Sequence, residues 1–318
     1  MRVLITGVSG FAGTHLAEYL SRKRGVELFG LRRPGSKRKA PSKVRLFTSD
    51  IRETKVLRRI LKKIKPHRVF HLAASASVAQ SWREPARTFE NNVMGTRALL
   101  DGITQECPQA RVHVASSAEV YGFCRRADDR IGETAPFRPM NPYAVSKIAS
   151  EALAQQYYWS HHLRVVRTRA FNHIGPRQSD SYVTSHFAKQ VAGIESGEQR
   201  PMMSVGNLSA VRDFTDVRDV VRAYWLCLDR GVPGDVYNVC SGIGHRISEI
   251  LRFYLEHSTV KITVHKNKSL YRRTDAPALV GDPSKLKERT GWKPVFSLQN
   301  SLQDILGAWR KEFELLHG

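Results

Sequence analysis

Tyr143 and Lys147 stand four residues apart behind Asn141 and Pro142, in the run Asn141-Pro142-Tyr143-Ala144-Val145-Ser146-Lys147. Asparagine is a good helix N-cap and proline a good first helical residue. The run therefore predicts a helix that starts at Pro142 and carries Tyr143 and Lys147 one turn apart on one face. A lysine ammonium close to a phenol favours the phenolate. It lowers a pKa that is ordinarily about 10, which makes Tyr143 an acid or base usable near neutrality. A Tyr-x-x-x-Lys pattern by itself is common on solvated helices. Its weight comes from Ser116 and Ser117, which end a predicted strand about 25 residues upstream, where catalytic hydroxyls belong in sheet folds of this kind.

A second constellation opens the chain. Gly7, Gly10 and Gly13 follow the apolar run Arg2-Val3-Leu4-Ile5-Thr6 and lead into a helical pattern. Glycine at these points permits a tight turn and lets backbone N–H groups and a helix N-terminus approach a pyrophosphate. At the end of the next strand, an NAD-preferring site would offer a carboxylate to the ribose 2′-hydroxyl. This chain has Gly30-Leu31-Arg32-Arg33 instead, and two guanidiniums can clamp a 2′-phosphate, so NADP(H) is the expected cofactor. The alternative is that both arginines merely belong to a basic surface.

The elements that must position these groups alternate. Strand-like runs at RVLITG, VELFGLR, HRVFHLAA and ARVHVASS are separated by helical patterns at about 12–24, 53–64 and 88–106. That rhythm predicts an α/β protein with a Rossmann-type, doubly wound parallel sheet. RVVRTRAFN and GDVYNVCSG read as further strands, whereas 181–210 and 262–300 read as loop-rich segments of a smaller C-terminal domain. The expected division is a cofactor domain over 1–169, with 212–243 returning to it, and a substrate domain over 170–211 and 244–318. Substrate would lie in the crevice between them.

Composition narrows the classes. With 318 residues, 41% of them hydrophobic, the chain can bury a sizeable core, which excludes disorder as its dominant state. No window approaches the roughly 18 apolar residues of a membrane span, and the glycine-bearing start is not expected to be a secretory signal. Four scattered cysteines show neither disulfide nor zinc spacing, so no metal is expected and reduced thiols in a cytoplasm are. The net charge is +22, and residues 22–68 alone hold 18 basic and 3 acidic side chains. A nucleic-acid patch is one reading of that stretch. A solvated helix face is the other, because Ile60, Leu61 and Ile64 have helical spacing with the charges turned outward.

TGVSGFAG at 6–13, Asp50-Ile51, HLAA at 71–74, NVMGT at 92–96, SSAEVYG at 116–122 and NPYAVSK at 141–147 occur in a characteristic order. Jointly they resemble the extended short-chain dehydrogenase/reductase family over essentially the whole chain. AFNHIGPRQ at 170–178, VGNLSAVRDFTDVRDV at 205–220, YNVCSG at 237–242 and TGWKP at 290–294 are similar to its GDP-mannose branch. The resemblance implies that Gly7, Gly10, Phe11 and Gly13 line the pyrophosphate, Asp50 and Ile51 the adenine, and Leu72, Ala73 and Ala74 the cofactor ribose. It makes Ser117, Tyr143 and Lys147 the catalytic hydroxyl, the acid/base and its tuner, with Asn172 and His173 near the nicotinamide end. A GDP-linked hexose would meet Ser117, Asn172, Lys189, Arg212, Arg272 and Asp275. Arg273 and Asp275 stand where proline and glutamate are usual in relatives, so the sequence departs from the family pattern at that distal contact.

Two activities follow from the branch. One is NADPH-dependent reduction of the C4 ketone of GDP-4-keto-6-deoxy-D-mannose to GDP-D-rhamnose. The other is 4,6-dehydration of GDP-mannose with tightly bound NADP, which needs a base for the C5 proton, and Glu119 is the candidate. Ile174-Gly175-Pro176 in place of Glu-Ser-Pro, Phe214 in place of Trp, and the short chain favour the reductase. Arg32-Arg33 and the run from Val280 to Lys285 pull towards the dehydratase. A cofactor-binding protein without turnover, or a nucleic-acid-associated one, is the remaining reading, and the intact Ser117, Tyr143, Lys147 set argues against it. Relatives pair the helices near 88–106 and 145–160, whose apolar positions Leu99, Leu100, Ile103, Ala149, Ala152, Leu153 and Tyr157 exceed one buried face. A homodimer or tetramer is therefore expected.

Overall fold

The computed structural model describes residues 1–36, 40–123, 129–271 and 276–317. Its first half runs β1 (Arg2–Thr6), α1 (Phe11–Ser21), β2 (Glu27–Arg32), β3 (Val44–Thr48), α2 (Thr54–Ile64), β4 (Arg68–His71), α3 (Val78–Arg83) and α4 (Pro85–Phe89). A π-helical turn at Glu90–Met94 then joins α5 (Gly95–Glu106), followed by β5 (Arg111–Ser117), α6 (Pro142–His161) and β6 (Arg164–Ala170). The second half holds β7 (Asn172–Ile174), α7 (Val183–Glu195), β8 (Met202–Val205), β9 (Val211–Asp216), α8 (Val217–Arg230) and β10 (Val236–Val239). It closes with β11 (Gly244–Arg246), α9 (Ile247–Glu256), β12 (Thr263–Lys266), β13 (Ala278–Leu279), α10 (Ser284–Thr290) and α11 (Leu298–His317).

Seven parallel strands form the large sheet in the order β10-β6-β5-β4-β1-β2-β3. The order reverses at β1, the geometry in which a crevice opens beyond the strand C-termini. Alternation along β1 explains why both faces are apolar. Val3 and Ile5 pack with Leu16 of α1 and Val220 and Tyr224 of α8. Leu4 points the other way, into Leu61 of α2 and Leu99 and Ile103 of α5. Each such fully buried side chain contributes roughly 1.5–3 kcal/mol relative to exposure. The second core gathers α7, α9 and α11 beside a small sheet in which β9 pairs with β7, β11 and β13. β9 thus belongs to the small sheet, and the chain re-enters the large one through α8 and β10.

Several expectations need correction. The segments 181–210 and 262–300 are not mainly loop: among the described residues α7, β8, β12 and α10 lie in them. Phe187, Val191 and Ile194 on α7 are buried at helical spacing. β3 escapes the pattern because it is an edge strand whose middle, Arg45 and Leu46, is exposed. The helix expected over 88–106 is interrupted by the π turn. Leu99, Leu100 and Ile103 are not surplus to a monomer, since α5 buries all of them against α2 and the sheet. On α2, Leu57, Ile60, Leu61 and Ile64 are buried while Lys55, Arg58, Arg59, Lys62 and Lys63 are exposed, as an amphipathic surface helix requires.

Candidate cofactor and catalytic site

The glycine turn is shaped by close backbone approach. Gly7 has φ +71°, and a Cβ there would lie 2.8 Å from the Ala73 nitrogen. A Cβ on Gly13 would stand 2.2 Å from the Gly7 carbonyl oxygen, so any side chain at either position would force the turn apart. Gly10 begins α1 without a side-chain cap, which leaves the first-turn amides suited to an anion. Leu72 and Ala73 lie against this turn because Thr6 accepts both of their amides, one through its carbonyl (3.2 Å) and one through its hydroxyl (3.2 Å), while Ala74 is exposed beyond them.

Arg32 closes β2 with its Nε donating to Thr48 Oγ1 at 3.1 Å, and Arg33 follows it exposed. Asp50 turns its carboxylate to Arg52, which donates Nε at 3.0 Å and Nη2 at 2.7 Å; that guanidinium holds the Asp50 carboxyl below its ordinary range. Ile51 fills the space that a side chain on Gly95 would occupy.

Around α6 the cap is as the sequence predicts: Asn141 Oδ1 accepts the Ala144 amide at 2.8 Å. Its Nδ2 donates to Glu119 Oε2 at 3.0 Å, which ties Glu119 to the start of the helix. Ser117 Oγ accepts the Glu119 amide at 3.2 Å and lies near enough to the Tyr143 phenol to draw its pKa down. Lys147 is 7% exposed; its Nζ donates to the Ala115 carbonyl at 2.6 Å and stands 6.0 Å from the centre of the Tyr143 ring. This corrects the expected tuning. Burial pushes the Tyr143 phenol above its ordinary range, against the pull of Ser117, while burial draws Lys147 down to about 8 against the attraction of Glu151. The ammonium is held by a backbone carbonyl, and desolvation dominates the phenol.

Asn92 opens the NVMGT motif but was given no role from the sequence, and the π turn places it at the centre of a buried network. Its Oδ1 accepts the Ser75 amide at 2.7 Å, its Nδ2 donates to Ser146 Oγ at 2.9 Å, and its carbonyl accepts Ser150 Oγ at 2.8 Å. The loop after β4 is thereby fixed to the helix of Tyr143 and Lys147. The available signal was an asparagine beside Gly95-Thr96 within a helical run.

Other candidates are spread out. His173 lies parallel to Phe11 at 5.8 Å between ring centres, and burial keeps its imidazole below the ordinary range. Asn172 Nδ2 makes a long 3.4 Å contact to the Asp213 carbonyl. Lys189 is engaged by Asp180 at 2.6 Å and lies 5.2 Å over the Trp309 ring. Arg212 donates to the Ala276 carbonyl at 2.7 Å within the small sheet. Arg272 and Asp275 lie outside the described residues. Among the described residues no group of three or more His, Cys, Asp or Glu is placed to hold a metal, and Cys107, Cys227 and Cys240 are buried free thiols.

Residues 4–305 match the family model described as GDP-mannose 4,6 dehydratase. The chain belongs to that family. This GDP-mannose 4,6-dehydratase family member is 35% identical over 308 residues to GDP-6-deoxy-D-mannose reductase of Pseudomonas aeruginosa, covering 97% of each chain. It is 27% identical over 366 aligned positions to GDP-mannose 4,6-dehydratase of Vibrio cholerae, covering 100% of this chain and 97% of the other. The structure of RMD from Pseudomonas aeruginosa complexed with NADPH matches with TM-score 0.86 and 34% identity, over 98% and 99% of the two chains. UDP-glucose 4-epimerase of Thermus thermophilus, in complex with NAD, matches with TM-score 0.88 and 31% identity over the same shares. The family member is thus a Rossmann-type, extended short-chain dehydrogenase/reductase enzyme.

Proposed function

We propose that this chain reduces the C4 ketone of GDP-4-keto-6-deoxy-D-mannose, giving GDP-D-rhamnose, with NADPH as reductant. The observation that carries this reading is the 35% identity to the Pseudomonas reductase over 97% of both chains, against 27% to the Vibrio dehydratase. The residues fit the dinucleotide. Gly7 and Gly13 leave a cradle that a Cβ would fill, the N-terminus of α1 is uncapped, and Arg32 with Arg33 stands at the strand end where a 2′-phosphate would lie. When bound, the dinucleotide supplies the hydride equivalent that the ketone carbon takes up.

The protein's own residues supply the proton and the orientation. Burial keeps the Tyr143 phenol protonated at neutral pH, so Tyr143 donates its proton to the oxygen that was the ketone. Ser117 orients that oxygen from the end of β5. Lys147, drawn to about 8, holds or releases a proton near neutrality behind Tyr143. Asn172 and His173 border the nicotinamide end, Asp50, Ile51, Leu72, Ala73 and Ala74 the adenosine half. Arg212, Arg272 and Asp275 serve the nucleotide sugar together with Lys189, which exchanges Asp180 for a diphosphate. The division into a cofactor domain over 1–169 and a substrate domain belongs to the same reading.

Glu119 supports the second reading, 4,6-dehydration of GDP-mannose, because Asn141 holds a carboxylate beside Ser117. The deciding experiment is mass spectrometry of the products. Oxidation of NADPH on the 4-keto-6-deoxy sugar, with GDP-mannose untouched, is expected; loss of one water from GDP-mannose without net NADPH use would establish the dehydratase instead.

We also propose that two copies pair through α3, the π turn and α6, where Trp82 (41% exposed), Met94 (47%) and Val145 (40%) leave apolar surface uncovered. A cytoplasmic location goes with the buried free thiols and this choice of cofactor.

A further inference from the structure

Arg177 is one of three non-glycine residues with positive φ among the described residues, at +71°. A non-glycine residue held in the left-handed region needs surroundings that over-determine it. Here the guanidinium reaches across to α1: Nη1 donates to Glu18 Oε1 at 2.6 Å and Nη2 to Glu18 Oε2 at 2.7 Å, a fork-to-fork pair. Nη2 also lies 3.3 Å from the ring nitrogens of His15. His15 is buried and its Nε2 lies 3.1 Å from the carbonyl oxygen of Pro176, the residue before Arg177. Two neighbouring residues of one loop are therefore fastened to two residues of one helix.

That loop and that helix belong to different sheets. α1 covers the large sheet and carries the glycine turn at its N-terminus, whereas residues 175–180 leave β7, a strand of the small sheet. One turn before His15 on α1 stands Phe11, which meets His15 edge-on at 5.4 Å and lies parallel to His173 at 5.8 Å. The loop also fixes His173, because Gln178 Nε2 donates to its carbonyl at 2.8 Å. Packing along this stretch of the loop is incomplete. A cavity of about 470 Å³ lies along Arg177–Asp180, between Phe11 and Thr14 of α1 and Trp309 of α11.

We infer that Arg177, Glu18 and His15 form a latch between the two sheets that governs how long the dinucleotide stays bound. The latch presupposes the proposed dinucleotide site: the pyrophosphate lies on the turn that α1 carries, the nicotinamide end beside His173, and the latch fixes the distance between them. Arg177 and Glu18 act through the loop and α1 and are positioning residues. Opening the latch lets the loop, and with it His173 in β7, move away from α1, which speeds dissociation without removing any contact to the pyrophosphate.

The test is stopped-flow fluorescence of NADPH chased from the full-length protein by excess NADP. The variants are Arg177→Gly, which suits the positive φ and so spares the fold, Arg177→Lys, Glu18→Gln, and the exchange Glu18→Arg with Arg177→Glu. Loss of a charge-assisted fork should raise the dissociation rate of Arg177→Gly and Glu18→Gln by about tenfold or more. Arg177→Lys, with charge but no fork, should fall between, and the exchanged pair should recover part of the loss. A structural role alone would shift the melting temperature and leave the rate unmoved. Dissociation within twofold of wild type in both single variants overturns the latch while the dinucleotide site stands. Wild-type protein that binds no NADPH overturns the dinucleotide reading, and the latch with it.

Discussion

Two sets of cations can be compared across the molecule. Along α2, five lysines and arginines face solvent above a buried apolar stripe, two of them in the last helical turn, where they complement the helix dipole. Deeper in the molecule, Lys147 and Arg169 are buried, and each holds a defined partner: the Ala115 carbonyl for Lys147, a carboxylate fork from Glu151 for Arg169. The first set makes the chain strongly basic and leaves its chemistry alone. The second is small, and removal from water changes how Lys147 holds its proton. Net charge therefore describes the surface of this protein, while the proposed reaction depends on the few groups that the fold has desolvated.

Substitutions at each set sharpen the contrast. The largest effect is expected at Tyr143: Tyr143→Phe should lower turnover on the 4-keto-6-deoxy sugar by about 10²- to 10⁴-fold, the range of a general-acid contribution. Turnover close to wild type in that variant would show that the buried groups are not the chemical ones. Lys147 is tested through stability. Its folded-state pKa of about 8 lies below the ordinary lysine value of 10.5, so the unfolded chain binds more protons between those pH values. The cost of keeping Lys147 charged is full below about pH 8 and fades as pH rises. Urea unfolding of wild type against Lys147→Met, at about pH 7.5 and about pH 9.5, should show wild type gaining on the variant by about 1–2 kcal/mol at the higher pH. A difference that is flat with pH would mean that Lys147 is not desolvated.

Arg32 and Arg33 fall between the two sets, being cations at the site but near solvent. Replacing both with alanine should cut the preference for NADPH over NADH about tenfold or more, read from the two dissociation constants. An unchanged ratio would move these arginines to the surface set. The smallest effect is expected on α2, where Lys62→Gln with Lys63→Gln should leave activity unchanged and stability within about 0.5 kcal/mol. A marked loss of activity there would break the comparison from its other side.

Much of this was legible in the residues. The β-α alternation, the glycine turn and the Asn141 cap depend on local spacing, and each appears at the expected positions. Lys147 shows where that logic ends: its spacing from Tyr143 was readable, but the Ala115 carbonyl that accepts its hydrogen bond comes from a strand 32 residues away, and burial is a property of the whole core. Asn92 was hidden for a related reason. Its partners Ser75, Ser146 and Ser150 meet only when β4, the π turn and α6 are assembled. The latch joins residues 159 positions apart, so no local pattern announces it.

Asn141 gives its oxygen to the start of α6 and its nitrogen to Glu119, so one residue serves as both a helix cap and the holder of a carboxylate. Aspartate in its place would keep a cap but offer no amide to Glu119, so the cap and the hold on the carboxylate are joined in this one side chain. Under the proposed reduction the carboxylate is idle, yet the capping residue holds it in place. Divergence between leaving the C5 proton and removing it then requires changes around the sugar, with no rebuilding of the backbone that presents the base.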